Sequence, residues 1–533
     1  MNTGQLRFFL VFVSTLLIIS CAKRGSISGG PKDEEAPIFV RSSPPNFSTS
    51  FKSDEIRIYF NELVTIQDAQ QVVVSPPMKI KPEVTPVGFP AKYIKIKFKD
   101  TLIAETTYNI NFGSSIVDNN EKNPVKFFQF VFSTGKVLDS LTFKGSVKDA
   151  FKQKLDENIS VFLYEANEKY TDSAVYKDFP RYISNTLDST EFEFKNIKAG
   201  KYKLIALKDK ANNYTYEPKS DKIGFLNKTI SIPEDSISEL TIFKETPDFK
   251  FVRAKQVSKN KFSIGYEGKL EKPEINLLGI AKDSLETTFF KEPQKDTLNL
   301  WVKPFFAQDS LVIQAKSKTV TDTLVSRYKD QYKDSLKIEV RNKTLKLQDD
   351  IVITANTPFG EINTELANFI DQDTLSVNYS QKYDAFKNEL KLTFEKKEDS
   401  KYALKLLPGA ITDFFGNTND TLVLKVNTIP ESEYGKLFLK LDKIKGESII
   451  VQLLQAESIK EESILTNGET NLTFLSLNPG DYSVRIIFDE NKNGVRDTGD
   501  YLKQIQPEKV YYYPKTITVR ANWDVKQDII FTE

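Results

Sequence analysis

The sequence predicts an all-β chain that folds as a tandem array of β-sandwich domains. With 533 residues it is too long for one hydrophobic core, and this length favours roughly three to five domains. Short segments such as Ile56–Phe60 and Tyr93–Phe98 alternate apolar and polar residues and are separated by turn residues, which is typical of strands. No long segment has a helical period. The 39 Phe and 22 Tyr residues suit pleated sheets.

Composition limits the function classes. Lys plus Arg (74) nearly equals Asp plus Glu (73), so bulk charge gives no support for nucleic-acid binding. The chain has no histidine, which removes the commonest general base and a common metal ligand. A single cysteine allows no internal disulfide and no zinc-thiolate site. We therefore predict a protein that is not an enzyme and does not bind nucleic acid.

The N-terminus reads as a secretory leader over residues 1–20. Arg7 precedes an apolar run, Phe8–Ile19, that is too short to span a membrane comfortably. Ile18-Ile19-Ser20-Cys21 resembles a bacterial lipobox, and the resemblance implies cleavage before Cys21 and a covalent lipid on that residue. The alternative is a free cysteine in a leader that is cleaved elsewhere or retained.

Residues 21–36 read as a lipidated, flexible tether without apolar periodicity. The stretch GGPKDEEAP resembles the start of Bacteroidota lipoproteins, and its acidic residues resemble their surface-export signals. The resemblance implies an outer-membrane protein that is lipid-anchored and faces the extracellular side. A solvated linker with chance acidity is the alternative.

Residues 37–136 resemble the bacterial Ig-like domain called Big_5, through SSPPN, IYFNE, the turn around Asp118 and the closing FVFSTG. A weaker copy of the same order occupies 341–430, where Asp413 takes the place of Asp118. Both aspartates are expected to shape a turn, since Asp readily caps nearby backbone N–H groups.

Residues 137–245 resemble transthyretin-like or carboxypeptidase-regulatory-like sandwiches, and 431–533 repeat them. FEFKNIKAGKYKLIALKDK (192–210) aligns with LTFLSLNPGDYSVRIIFDE (472–490) at one offset of about 280 residues. Residues 246–340 form a β-rich block without an assigned family. The expected arrangement is a rod of five sandwiches.

FDENKNGVRDTGDY (488–501) has the spacing of a calcium loop. An EF-hand-type loop needs oxygen ligands at positions 1, 3, 5, 7, 9 and 12 and glycine at 6. Gly494 is at position 6, and the ligand positions are occupied by Asp489, Asn491, Asn493, Val495, Asp497 and Asp500. The flank Tyr482–Phe488 reads as a strand and Tyr501–Ile505 as a strand or extended segment, so we predict a structural calcium ion in a β-hairpin. The alternative is a polar hairpin without an ion.

The equivalent loop of the first copy, DKANNYTYEPKSD from Asp209, keeps Asp209, Asn213 and Glu217 but has Ala211 at position 3 and Tyr214 in place of glycine. It is expected to bind calcium poorly or not at all.

Asp followed by Ser or Thr recurs along the chain, most often before an aliphatic residue. The triplet resembles the O-glycosylation sequon of extracytoplasmic Bacteroidota proteins, although the same residues also begin strands after turns. The implied acceptors are Thr101, Ser140, Ser173, Ser189, Ser236, Ser284, Thr297, Ser310, Thr323, Ser335, Thr374 and Thr421.

The anchor and the sandwich array favour a binding or scaffold module, with a membrane and an outer-membrane protein or complex as partners. An accessory subunit of an outer-membrane assembly or secretion machine is an alternative. A glycan ligand is another, and a hydrolase built on paired carboxylates is the least favoured.

Overall fold

The computed structural model describes residues 32–280, 284–305, 309–318, 320–442, 448–466 and 468–531. Within these ranges the chain forms strands β1 to β41, four short 3-10 turns and no α-helix. The predicted all-β fold, a tandem array of sandwiches, is confirmed. The 3-10 turns are Ala69–Gln71, Asp172–Tyr176, Thr364–Leu366 and Glu431–Glu433.

The strands fall into five consecutive units. The first unit contains β1 (Phe39–Ser43), β2 (Glu55–Ile66), β3 (Val73–Ser75), β4 (Glu83–Thr85), β5 (Ala91–Lys97), β6 (Thr107–Asn111), β7 (Ile116–Asp118) and β8 (Gln129–Ser133). The second unit contains β9 (Leu141–Asp149), β10 (Ser160–Glu165), β11 (Tyr182–Asn185), β12 (Glu191–Ile197), β13 (Gly200–Lys208), β14 (Lys222–Phe225), β15 (Ile230–Ile232) and β16 (Ile237–Ile242). The third unit contains β17 (Lys250–Ser258), β18 (Lys261–Glu267), β19 (Pro273–Leu278), β20 (Glu286–Lys291), β21 (Thr297–Lys303), β22 (Ser310–Ser317) and β23 (Val320–Arg327).

The last two units follow without a break in this pattern. The fourth unit contains β24 (Ile338–Val340), β25 (Thr344–Leu345), β26 (Ile351–Ala355), β27 (Phe359–Ile362), β28 (Ala367–Asp371), β29 (Tyr379–Asp384), β30 (Glu389–Phe394), β31 (Lys401–Leu406), β32 (Ile411–Asp413) and β33 (Leu422–Thr428). The fifth unit contains β34 (Gly435–Asp442), β35 (Ser448–Gln455), β36 (Ser458–Thr466), β37 (Asn471–Leu477), β38 (Gly480–Phe488), β39 (Val510–Tyr512), β40 (Ile517–Val519) and β41 (Asp524–Ile530).

The second and fifth units have the same topology. In the second, β12-β9-β16 form one sheet and β11-β10-β13-β14 the other, with β15 beside β13. In the fifth, β37-β34-β41 and β36-β35-β38-β39 repeat this order, with β40 beside β38. Each unit also has one parallel pair, β9 with β16 and β34 with β41. The two aligned segments therefore lie at equivalent places in units with the same strand order.

The first and fourth units also share a topology. The sheet order β1-β2-β5-β4 of the first unit corresponds to β24-β26-β30-β29 of the fourth, and β3-β6-β8 corresponds to β28-β31-β33. The pairing of β7 with β2 returns as the pairing of β32 with β27. The fourth unit thus shares its strand order with the first, although the sequence match between them is faint. The third unit packs two sheets, β17-β18-β21-β20 and β19-β22-β23.

The predicted turn aspartates occupy equivalent places. Asp118 is 1% exposed, and its two oxygens accept N–H bonds from the backbone of Asn120, Glu121, Lys122 and Asn123 at 2.6–3.1 Å. Asp413 accepts N–H bonds from Phe415 and Asn417, both at 2.9 Å. Burial alone would raise the pKa of the Asp118 carboxyl, but the backbone donors outweigh it and hold the pKa below its usual value.

Each unit has its own apolar core, formed by the inward-facing residues of two sheets. The second unit has a further aromatic cluster that includes Phe162, Phe225 and Phe243. Two residues of other units belong to this cluster, Val73 of the first unit and Tyr501 of the fifth. The second unit is therefore the point at which distant parts of the chain meet.

Contacts between units form a closed circuit, which corrects the expectation of an open rod. Lys219 of the second unit pairs with Glu267 of the third at 3.2 Å. The third and fourth units meet where the rings of Trp301 and Phe415 lie 5.9 Å apart. Lys346 of the fourth unit pairs with Glu461 of the fifth at 2.6 Å. The fifth unit then returns to the second through Tyr501. Such closure depends on surface contacts between distant residues, which the order of domains does not specify.

Candidate functional site

The predicted lipidation residue, Cys21, lies outside the described residues, as do the leader and most of the tether. In the part of the chain that the structure describes, no helix is long and apolar enough to cross a membrane. The anchor therefore stays a prediction.

The predicted calcium loop begins at the end of β38 with Asp489, which is 2% exposed. Its carboxylate accepts N–H bonds from Asn493 at 3.0 Å and Gly494 at 2.9 Å, and an O–H bond from Ser448 at 2.9 Å. Gly494 has φ +73°, the left-handed conformation that glycine adopts without strain. The loop therefore turns back tightly around the Asp489 carboxylate.

Two of the other predicted ligands converge on one oxygen of a third, Asp497. The side-chain amide of Asn493 donates to Asp497 Oδ2 at 2.6 Å, and the amide of Asn491 donates to the same oxygen. Asn493 Oδ1 accepts the N–H of Val495 at 2.8 Å. Asp489, Asn491, Asn493, Val495 and Asp497 thus belong to a single compact turn.

Asp500 is arranged differently. Its carboxylate pairs with Lys503 Nζ at 2.6 Å and accepts the Lys503 N–H at 3.0 Å. Burial would raise the pKa of the Asp500 carboxyl, but Lys503 outweighs it and the pKa lies below its usual value. Tyr501–Gln504 form a turn closed by a bridge between Asp500 and Ile505, so the strand or extended segment expected over 501–505 is wrong. The structure brings Asp500 to the lysine rather than to the other predicted ligands.

A residue that the spacing did not indicate closes the loop. Glu508, 8% exposed, accepts the N–H of Glu490 at 3.1 Å and the N–H of Asp497 at 2.8 Å. Burial, together with repulsion from Asp497 and Asp489, raises the pKa of the Glu508 carboxyl. Glu508 lies just before β39, where only the return of the chain brings it to the loop. Its carboxylate bridges the second and ninth loop positions.

The copy in the second unit is closed in the same way. Asp221, which is 0% exposed, accepts the N–H of Lys210 at 3.1 Å and the N–H of Glu217 at 2.9 Å. These donors are again the second and ninth positions, counted from Asp209. Burial raises the pKa of the Asp209 carboxyl, and its Oδ1 has no hydrogen-bond partner in the described residues. A carboxylate bridge is therefore the element that both loops share.

Within the described ranges, no group of three or more acidic or cysteine side chains has an arrangement that could hold a metal ion. The donor chemistry of the Asp489 loop, carboxylate and amide oxygens, nevertheless suits a hard cation. Calcium at this loop stays a prediction.

Beyond the loop, the segment from Thr498 to Gln506 docks on the second unit. The hydroxyl of Thr498 donates to Lys244 O at 2.6 Å, and Gln506 Nε2 donates to Phe225 O at 3.0 Å. The Tyr501 ring is 1% exposed and lies 5.2 Å from the Phe225 ring in an edge arrangement. Burial raises the pKa of the Tyr501 hydroxyl. We call this contact the clasp, defined by Thr498–Gln506 and the surface of the second unit beneath it.

A second contact beside the clasp is made by Phe151 of the second unit. The guanidinium of Arg485 lies 3.9 Å from the centre of the Phe151 ring, and that of Arg496 lies 4.4 Å from it. Tyr512 also donates its hydroxyl to the Phe151 carbonyl. Two cations on one aromatic ring strengthen the association of the repeated units.

The predicted glycosylation hydroxyls are accessible. All are exposed except Thr297 and Ser310, which are half-buried. Several also lie immediately before a strand, as Ser140 before β9 and Thr421 before β33. The alternative role as strand starters therefore holds at those positions, and glycosylation stays a prediction.

Residues 33–134 match the Big_5 family of bacterial Ig-like domains. This match supports the Ig-like prediction for the first unit. No curated protein matches the chain.

A comparison with solved structures found matches of low sequence identity. Domains 1–6 of the surface layer protein SbsC are 13% identical, with 90% of this chain and 67% of that chain covered and a TM-score of 0.16. Domains 4–9 of SbsC give 11% identity, 77% and 63% coverage and a TM-score of 0.20. The titin domains Z1Z2, solved in complex with telethonin, give 10% identity, 35% and 97% coverage and a TM-score of 0.13. TM-scores this low do not indicate a common overall arrangement.

Proposed function

We propose that this protein is a non-enzymatic binding or scaffold protein, held on the outer membrane by a lipid on Cys21 and facing the outside of the cell. The observation that carries the proposal is the closed circuit of four sandwiches, fastened where Tyr501 enters the aromatic cluster of the second unit. Because these contacts join the four units in a closed circuit, the exposed faces of the units and the clefts between them keep fixed positions, as a scaffold requires. The lipobox-like leader and the Ig-like first unit agree with this role.

The partner is proposed to be an outer-membrane protein or complex. Affinity purification of the tagged chain from detergent-solubilised membranes tests this. Recovery of a defined outer-membrane protein, abolished when the clasp is opened by Tyr501→Ala, is the expected result. Recovery of no protein in stoichiometric amount would overturn the protein-partner proposal.

The anchor has its own test. Cys21→Ala removes the thioether site, so the variant is expected in the soluble fraction while the natural chain sediments with membranes. Protease added to intact cells should then degrade the natural chain. A Cys21→Ala chain that still sediments would contradict the lipid anchor, and complete protection from protease would contradict the outward orientation.

Calcium is proposed as a structural ion in the Asp489 loop. Asp489, Asn491, Asn493 and Asp497 supply side-chain oxygens of the required kind, and Val495 supplies a carbonyl at the position where such loops use one. Asp500, engaged by Lys503, would need to leave that contact to take part. The ion would neutralise carboxylates that otherwise repel one another.

O-glycosylation is proposed at the exposed triplets. Their accessibility supports it, because an enzyme must reach each hydroxyl. Intact-mass measurement of the chain purified from its own cells should show mass above that of the polypeptide and lipid. Replacing Thr101 and Thr374 by Ala should each remove a fixed increment, and a mass equal to that of the bare polypeptide plus lipid would overturn the proposal.

A further inference from the structure

The first and second units enclose a cleft of about 520 Å³ between them. One wall comes from the segments Pro76–Lys79 and Asp100–Ile103 of the first unit, and the other from residues 164–181 of the second. Junctions between domains are common places for small-ligand sites, and this volume lies in the usual range for them. Neither unit has the cleft alone.

Aromatic rings form much of the wall. Phe179 is 41% exposed, while Tyr164, which also lines the cleft, is only 4% exposed and its ring lies 6.1 Å from the ring of Tyr170. An exposed ring beside a cleft offers a flat apolar face to a ligand that also has an apolar face.

The planar guanidinium group of Arg181 lines the cleft together with these rings. The Nε of Arg181 is 3.4 Å from Glu165 Oε1, and its Nη2 is 3.4 Å from the hydroxyl of Thr106. Both distances are at the long limit for a hydrogen bond, and the Arg181 Nε has no hydrogen-bond partner in the described residues. The Nε atom is itself shielded from solvent, but a guanidinium has five N–H donors, so the terminal nitrogens of Arg181 retain donors for a ligand.

The fixed charges around the cleft cancel. The cations are Lys79, Lys169 and Arg181, and the carboxylates are Asp100, Glu165 and Asp178. A ligand with a net charge of either sign would therefore gain little from this cleft. The lining instead offers both donors and acceptors to neutral hydroxyl groups.

We infer that the cleft between the first and second units binds a short neutral oligosaccharide. The C–H face of a sugar ring would pack on Phe179, and its hydroxyls would bond to Arg181 and the neighbouring carboxylates. The inference deepens the proposed binding function and rests on it, but it does not depend on the lipid anchor.

The test uses a chain that begins at residue 22, keeps every described residue, and is produced in a host without O-glycosylation, so that Thr101 at the rim carries no sugar. It is applied to a printed array of neutral, sialylated and sulfated oligosaccharides. The strongest neutral oligosaccharide is then titrated by calorimetry. Phe179→Ala should weaken its binding at least tenfold, and Arg181→Lys should also weaken it because the planar fork is lost.

Phe89→Ala is the matched control, because Phe89 is 85% exposed in the first unit and does not line the cleft. It should bind as the natural chain does, and the melting temperatures of the variants should agree. Binding to no neutral oligosaccharide, binding only to charged ones, or unchanged binding by both cleft variants would each overturn the inference. These failures would leave the membrane fractionation of the Cys21→Ala chain unaffected, so the two proposals fail separately.

Discussion

The hydroxyls of Tyr170 and Tyr501 lie 3.1 Å apart although 331 residues separate them in the chain. This bond joins the two copies of one sandwich, and Tyr501 N–H also bonds to Glu245 at 2.6 Å. Tyr501 belongs by sequence to the fifth unit and by packing to the second. At the clasp, Tyr501 is therefore packed as a core residue of the second unit and not as a surface contact.

Replacing Tyr501 by Ala should open the clasp. Deleting a fully buried aromatic side chain typically costs about 3–5 kcal/mol, here divided between the second unit and its association with the fifth. Hydrogen exchange should increase in Lys222–Phe225 and around Phe243. Tyr332→Ala is the control, since Tyr332 is 63% exposed and its loss should cost less than about 0.5 kcal/mol. Equal exchange in both variants would contradict the clasp.

Substitution of Gly499 by Ala tests the clasp in the opposite way, because it adds a side-chain atom instead of removing a ring. A Cβ at Gly499 would lie 2.5 Å from Phe243 Cζ and 2.7 Å from Ile505 O, which is too close for either to remain in place. Gly499→Ala should therefore lower the melting temperature and loosen the second and fifth units. Gly265→Ala serves as the control, because a Cβ there has nothing within 4 Å and the backbone lies outside the left-handed region. A Gly499→Ala chain as stable as Gly265→Ala would show that the units are not held this closely.

The carboxylate bridges predict parallel effects in the two repeats. Glu508→Ala and Asp221→Ala each remove a buried carboxylate and leave two backbone N–H groups without their acceptor, at a cost of about 1–3 kcal/mol. Unfolding measured by denaturant should detect both losses. Glu461→Ala, which removes a half-buried partner of Lys346, should cost less. If Glu508→Ala is neutral while Asp221→Ala is costly, the fifth-unit loop is closed by something other than Glu508.

Asp118 predicts an acid-sensitive first unit. Because its folded-state pKa is depressed, it contributes stability above the unfolded value of about 3.9, and this contribution is lost as pH falls through the folded pKa. Asp118→Asn cannot ionise, so its stability should lack this dependence and converge with the natural chain at low pH. Denaturant unfolding between pH 2 and 6 gives the comparison. Parallel curves for the two proteins would contradict the assignment.

Calcium binding predicts a ligand-dependent melting temperature. At a free concentration about 100 times its dissociation constant, the ion would stabilise the folded state by about 2.7 kcal/mol. Asp489→Asn should abolish this gain, whereas Asp209→Asn in the other copy should not. If calorimetric titration of the whole chain shows no heat of binding at millimolar calcium, the proposed calcium ion in the Asp489 loop is contradicted.

The strands and repeats could be predicted because they are local. Period-two alternation marks inward-facing positions, and the shared spacing of Gly200 and Tyr202 with Gly480 and Tyr482 marks one hairpin in both copies. The bounds of β12 and β13 accordingly correspond to those of β37 and β38. The weaker resemblance between the first and fourth units could also be recognised from the sequence, because Asp118 and Asp413 cap equivalent turns.

The clasp and the bridge could not be predicted because they are not local. Tyr501 follows a polar loop and alternates with its neighbours as a strand residue would, and only the position of the second unit makes it part of a core. Glu508 lies outside every loop spacing used for calcium. Asp500 fits that spacing, yet Lys503, three residues further on, takes its carboxylate.

The closed circuit also determines how far each part of the chain stands from the N-terminal end. In an open array, lengthening the third unit would move the fifth outward by the same amount. Here the clasp holds the fifth unit beside the second, so the added length would push the third and fourth units sideways. The distance from Pro37 to the end of β41 is therefore set by the first two units and the clasp. It does not depend on the size of the third and fourth units.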